Sequence, residues 1–154
     1  MEEKLDLLTG INNIFVTDSV DPNTLSPLTL AFVGDGVYEL VIRTLICERH
    51  NVSPDKLHKM AVKYVKAPAQ AALIDSIYSE LTPEEEAVYK RGRNTKSNTK
   101  AKNATAVDYR KATGFEALMG YLYLAGRTER MLEIIEKGTS LLGIPLKRGD
   151  NGIS

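Results

Sequence analysis

The chain is poor in the residues that build covalent or soft-metal frameworks. Its 154 residues include one cysteine, Cys47. A lone thiol excludes an internal disulfide and a cysteine-rich zinc site, and it suits a reducing cytosol. Cys47 closes the apolar run Leu45-Ile46-Cys47, so it is expected in the core. There are two histidines, His50 and His58, and no HExxH pattern, which removes the common zinc-hydrolase motif. His58 reads as a packing residue or a phosphate contact. No apolar stretch approaches the roughly 20 residues of a membrane span. The start, Met1-Glu2-Glu3-Lys4, lacks the basic segment and small-residue cleavage site of a signal peptide. A soluble cytoplasmic protein with no membrane partner is the expectation. No segment alternates polar and apolar residues between hairpin turns, so strands are not expected.

Net charge is also missing: 20 basic residues balance 20 acidic ones. A neutral average at first argues against a nucleic-acid partner, but the distribution argues for one. Residues 90–111 hold Lys90, Arg91, Arg93, Lys96, Lys100, Lys102, Arg110 and Lys111 against a single acid, Asp108. Residues 56–66 add Lys56, Lys59, Lys63 and Lys66 with no acid. A polarised chain can turn a basic face to phosphates while its average stays neutral. A solvated lysine-rich surface is the competing reading. The acid-free stretch between Glu86 and Asp108 weighs against it.

What is present reads as a series of capped helices. The length fits one domain, and 43% hydrophobic residues suffice for a core. Ser26-Pro27, Ser53-Pro54 and Thr82-Pro83 share one starting chemistry: a hydroxyl N-cap followed by proline at the first helical position. Glu84-Glu85-Glu86 follows the third, and Glu85 is placed for a capping box with Thr82. The pattern predicts helices near 5–15, 27–49, 54–65, 68–80, 83–92, 105–125 and 128–142. Pro68 and Gly92 are expected boundaries, and Gly126 a C-terminal stop. The polar segment 91–100 reads as a loop. The domain is expected over 1–146, with a loose tail over 147–154.

Two carboxylates interrupt apolar helices. Asp35 stands between Gly34 and Gly36 in Leu30-Ala31-Phe32-Val33-Gly34-Asp35-Gly36-Val37-Tyr38-Glu39-Leu40-Val41-Ile42. This helix is apolar nearly all round and is expected to be central and buried. Each glycine costs about 1 kcal/mol against alanine in a helix interior, which points to close approach of a backbone or ligand. Glu116 stands in Thr113-Gly114-Phe115-Glu116-Ala117-Leu118-Met119-Gly120-Tyr121-Leu122. Small residues at 34, 36, 114, 117 and 120 would let the two helices cross closely. Asp35 and Glu116 can then converge on one hard divalent cation such as Mg²⁺, which needs few protein carboxylates. The alternative is structural salt bridging, to Arg43 or Arg110. Composition and spacing reach no further than a helical protein with metal-binding and RNA-binding features.

The segment Leu30-Ala31-Phe32-Val33-Gly34-Asp35 resembles the ribonuclease III signature leucine-glutamate-phenylalanine-leucine-glycine-aspartate. The segment Phe115-Glu116-Ala117-Leu118-Met119-Gly120 resembles that family's second signature, valine-glutamate-alanine-leucine-isoleucine-glycine. The resemblance spans about residues 20–140. Ala31 and Thr113 stand where the family has further acids, and its double-stranded-RNA-binding domain has no counterpart in this sequence. Lys90-Arg91-Gly92-Arg93-Asn94, and Leu57-His58 ahead of Ala67-Pro68-Ala69-Gln70-Ala71, are similar to the Mini-III branch of the family.

The resemblance implies the all-α ribonuclease III catalytic fold. It implies that Asp35 and Glu116 are the catalytic and metal-binding residues, with Mg²⁺ as the ion; the acids missing at Ala31 and Thr113 favour one ion per site over two. It implies a homodimer paired through the helix carrying Gly34, Val37 and Tyr38, with a double-stranded RNA in the valley between protomers. Cleavage should leave a 5′-phosphate and a 3′-hydroxyl. The substrate implied is a stem of the bacterial large-subunit ribosomal RNA precursor, with pre-ribosomal proteins as candidate partners. Lys90, Arg91, Arg93, Asn94, Lys96, Lys100 and Lys102 are the expected RNA contacts. Glu39, one turn after Asp35, is a candidate neighbour of the metal, with a salt bridge as the favoured alternative. A non-catalytic RNA-binding or ribosome-assembly protein on the same fold is the competing function.

Overall fold

The computed structural model describes residues 6–95 and 104–143, and no strand occurs among them. Seven α-helices follow in order: α1 (Leu7–Ile14), α2 (Pro27–Arg49), α3 (Pro54–Val65), α4 (Ala67–Ile77), α5 (Pro83–Asn94), α6 (Ala104–Leu124) and α7 (Thr128–Leu141). Short 3₁₀ turns at Pro22–Thr24 and Tyr78–Glu80 complete the described chain. The expected helices are all present. The expected tail, 147–154, lies outside the described residues.

The caps explain most boundaries. Ser26 Oγ accepts the Thr29 N–H at 3.2 Å, and Thr82 Oγ1 accepts the Glu85 N–H at 3.1 Å. Glu85 Oε1 reciprocates by accepting the Thr82 N–H at 2.9 Å, which completes the capping box. Ser53 is the exception: it is the N-cap of α3 but its side chain makes no capping bond. Gly126 stops α6 in the left-handed region at φ 73°.

Helix α6 is the axis of the fold, with α2, α4, α5 and α7 packed around it. Phe115, Ala117, Leu118, Met119 and Leu122 are fully buried and point in every direction from that helix. Each large apolar side chain so buried stabilises by about 1.5–3 kcal/mol before entropy is counted. On α7, Met131, Ile134, Ile135 and Gly138 repeat at helical spacing and form its buried stripe. The Tyr38 and Phe115 rings meet edge to face, at 5.0 Å between centroids and 89° between planes.

Three expectations are corrected here. Helix α2 is not buried all round: Leu30, Gly34, Tyr38 and Ile42 face inward, while Phe32, Asp35, Gly36 and Leu40 are exposed. Tetrapeptide spacing, not overall apolarity, decides which side faces the core. Cys47 is exposed rather than in the core, because it falls on that outer side. Gly92 does not end its helix. Helix α5 runs on to Asn94, and a Cβ at Gly92 would sit 2.9 Å from both the Ala117 Cβ and the Gly114 Cα. That glycine serves helix crossing, not termination.

A buried charge cluster clamps α5 to α7. Glu85 is fully buried and receives two bonds from Arg130: Nε to Oε2 at 2.8 Å and Nη2 to Oε1 at 2.9 Å. Arg130 also donates to Glu133 at 2.6 Å and to the Glu80 carbonyl at 3.2 Å. Burial raises the Glu85 pKa, but the Arg130 and Thr82 hydrogen bonds and the charges of Arg130 and Arg127 outweigh it. The net effect is a carboxylate held below its usual range.

Candidate active site

Two glycines bring α2 and α6 into backbone contact. A Cβ on Gly34 would collide with the Glu116 carbonyl oxygen, and one on Gly120 with the Leu30 carbonyl oxygen. Asp35 follows Gly34 directly, so its side chain leaves α2 where Glu116 leaves α6. Gly36 differs: among the described residues a Cβ there would meet nothing within 4 Å, so packing among them does not explain it.

The two carboxyls lie near enough for Asp35 to act on the ionisation of Glu116. Asp35 is exposed and Glu116 is half-buried. Burial, then the hydrogen bond and negative charge of Asp35, push the Glu116 carboxyl up to about 8. Glu39 adds to the rise, and a hydrogen bond from Gln70 opposes it. Neither acid has a cationic partner among the described residues, and a bound cation would relieve the burial and repulsion that raise Glu116. The salt-bridge alternative does not hold among the described residues. Arg43 pairs with Glu39 at 3.5 Å, and no ion pair joins a basic side chain to Asp35 or Glu116.

The donors suit a hard ion. Among the described residues no group of three His, Cys, Asp or Glu could enclose a metal. Two carboxylates with open space beside them fit Mg²⁺, which keeps several of its own waters. A further group lies in the site that sequence reasoning left unassigned. Gln70, on the first turn of α4, is 2% exposed and favours the charged form of the Glu116 carboxyl. A glutamine inside the apolar run from Ala69 to Ile74 was the available signal.

The predicted RNA-contact residues divide. Arg91 is exposed near the end of α5. Lys90 pairs with Glu86 at 2.7 Å. Arg93 lies over the Tyr89 ring at 5.5 Å and donates from Nε to the Asn94 side chain at 3.1 Å. Because Gly92 packs on Gly114 and Ala117, these residues sit at the same turn of α6 as Glu116. Lys96, Lys100 and Lys102 lie outside the described residues. Lys56, Lys59 and Lys63 on α3, and Lys66 at its C-cap, are all exposed, as is His58. Val65, beside Lys66, accepts a bond from Gln70, so the end of α3 borders the site.

The expected pairing surface also moves. Gly34 and Tyr38 are buried against α6 and are unavailable to a partner. Leu28, Phe32, Gly36 and Leu40 recur every four residues on the outer side of α2. Phe32 is 81% exposed, an unusual position for a large apolar ring.

Comparison with known proteins agrees with this architecture. The family description "Ribonuclease III domain" matches residues 28–127, a span that contains both acids. A Mini-ribonuclease 3 from Thermoanaerobacter sp. (strain X514) is 53% identical over 119 residues, which are 77% of this chain and 84% of that relative. The Mini-ribonuclease 3 of Streptococcus pneumoniae is 49% identical over 118 residues, covering 75% of this chain and 92% of the relative. The crystal structure of a Fusobacterium nucleatum protein superposes with a TM-score of 0.68 at 30% identity, covering 77% of this chain and 94% of that one. With both signatures on crossing helices and relatives this similar over most of its length, the chain belongs to the ribonuclease III family, in its Mini-ribonuclease 3 branch.

Proposed function

We propose that this ribonuclease III-type endoribonuclease cuts double-stranded RNA at a site built on Asp35 and Glu116, working as a homodimer with Mg²⁺. The observation that carries the reading is the meeting of these two acids at the α2–α6 crossing, with no basic partner among the described residues. A bound Mg²⁺ supplies an acidified water as nucleophile and neutralises charge on the phosphate. The chain supplies the rest. Asp35 and Glu116 hold the ion, and Glu116 must give up its proton to do so. Glu39 is engaged by Arg43 and adds negative potential without serving as a ligand.

The exposed lysines of α3 and the arginines ending α5 offer cations to phosphates on either side of the acids. Lys96, Lys100 and Lys102 extend this set in sequence. A-form RNA presents phosphates and 2′-hydroxyls across a shallow minor groove, so recognition should be mainly of shape. The dimer reading rests on the α2 stripe. Gly36 lies midway between Phe32 and Leu40, so a two-fold axis there would set Phe32 of one copy against Leu40 of the other. A glycine at the axis lets two backbones approach. The branch resemblance adds the substrate, a stem of the large-subunit ribosomal RNA precursor, and a cytoplasmic setting with pre-ribosomal proteins as candidate partners.

The test is incubation of the protein with a duplex and with each separated strand, with and without Mg²⁺. The expected result is cleavage of the duplex alone, only with the metal, giving 5′-phosphate and 3′-hydroxyl ends. Tight duplex binding with no cleavage in Mg²⁺ would leave the non-catalytic reading in its place.

A further inference from the structure

We infer that Gln70 is a positioning residue of the metal site. Its amide N–H groups would fix the Glu116 carboxylate, and its Oε1 would accept a hydrogen bond from a water carried by the hydrated ion. The inference rests on the metal-site reading above and deepens it.

Gln70 is almost fully buried at the start of α4. Nε2 donates to the Val65 carbonyl at 2.8 Å. That bond fixes which way the amide faces, since the flipped amide would set two oxygens against each other. The same side chain acts on the Glu116 carboxyl, where it favours the charged form. An amide has two N–H groups, so with one on Val65 the second is available to a Glu116 carboxylate. Oε1 is the one buried side-chain polar atom without a partner among the described residues.

A buried acceptor left empty is costly, and natural structures rarely leave one without a reason. Here it belongs to a side chain that acts on a candidate metal ligand. A hydrated Mg²⁺ held at Glu116 would bring waters with donor hydrogens toward that acceptor. Residues that orient metal ligands in this way commonly fix the ligand's angle and raise affinity. The competing explanation is purely structural: Gln70 joins the end of α3 to α4 through Val65. That explanation accounts for Nε2 but leaves Oε1 empty.

The experiment is a calorimetric Mg²⁺ titration of the parent, Gln70→Met and Glu116→Gln, with thermal melting of each in the absence of metal. Methionine matches glutamine in length and suits a buried position. The expected result is a Gln70→Met protein that melts close to the parent and binds Mg²⁺ about 10–100-fold more weakly. Its cleavage of duplex RNA should recover as Mg²⁺ is raised. The parent gives a second readout that needs no variant: the Gln70 side-chain amide resonances should shift when Mg²⁺ is added. Unmoved resonances, or a Gln70→Met affinity equal to the parent's, would overturn the inference, whether or not the melting temperature falls. If Glu116→Gln loses Mg²⁺ while Gln70→Met keeps it, only the role of Gln70 fails. If the parent takes up no Mg²⁺, or Glu116→Gln binds it like the parent, the metal reading fails and the inference goes with it.

Discussion

The backbone carbonyl of Glu116 occupies the space where Gly34 would carry a Cβ. This contact sets the depth at which α2 and α6 cross, and so the distance at which Asp35 and Glu116 meet. Gly34→Ala would force backbone to move, not a flexible side-chain end. It should cost at least about 1–3 kcal/mol, the usual range for overpacking. Denaturant unfolding of the purified variant would measure it. A variant as stable as the parent would mean that the crossing is looser than described.

Phe32 is a large apolar ring left 81% exposed on the outer side of α2. Phe32→Asp places a charge in the middle of the α2 stripe without touching the inward face. The parent should run at twice the 17.0 kDa chain mass at micromolar concentration, and the variant at 17.0 kDa. Light scattering separates the two. A monomeric parent would remove the dimer from the reading, and a dimeric variant would place the interface elsewhere.

The Glu85–Arg130 clamp predicts a pH dependence. The folded-state pKa of Glu85 is lowered, so its stabilisation is fully present above its ordinary value of 4.5 and is lost as pH falls below that. Arg130→Met leaves the buried Glu85 carboxylate with the more distant Arg127, at 4.0 Å, and should cost about 3 kcal/mol at neutral pH. Protonating Glu85 relieves the poorly paired charge, so the deficit against the parent should shrink as pH is lowered from 7 toward 4. Chemical unfolding of both proteins across that range is the check. A deficit constant with pH would show that Arg130 acts through packing rather than charge.

Helix positions and the two acids were legible because they leave local marks. Capping residues announce starts, and a carboxylate inside an apolar helix stands out against its neighbours. What stayed hidden depends on direction in space. The outward side of α2 carries Phe32, Leu40 and Cys47, all apolar, so composition could not separate it from the inward side. Gly92 looked like a terminator because glycine serves both stops and crossings, and only the nearness of Gly114 and Ala117 tells them apart. Gln70 belongs to the segment Ala67-Pro68-Ala69-Gln70-Ala71, which by itself marks only a likeness to the branch. Its role depends on Val65 and Glu116, the latter 46 positions further on, and no periodicity joins them.

The pairing of Asp35 with Glu116 is tested most directly by separating binding from cleavage. Asp35→Asn and Glu116→Gln each keep the side-chain size and remove a charge. Duplex binding should be measured in Ca²⁺, and single-turnover cleavage in Mg²⁺, for both variants and the parent. The predicted result is duplex binding near the parent's with cleavage reduced at least about 10³-fold, a loss of some 4 kcal/mol of transition-state stabilisation. Cleavage by either variant at close to the parent rate would contradict a site built on these two carboxylates.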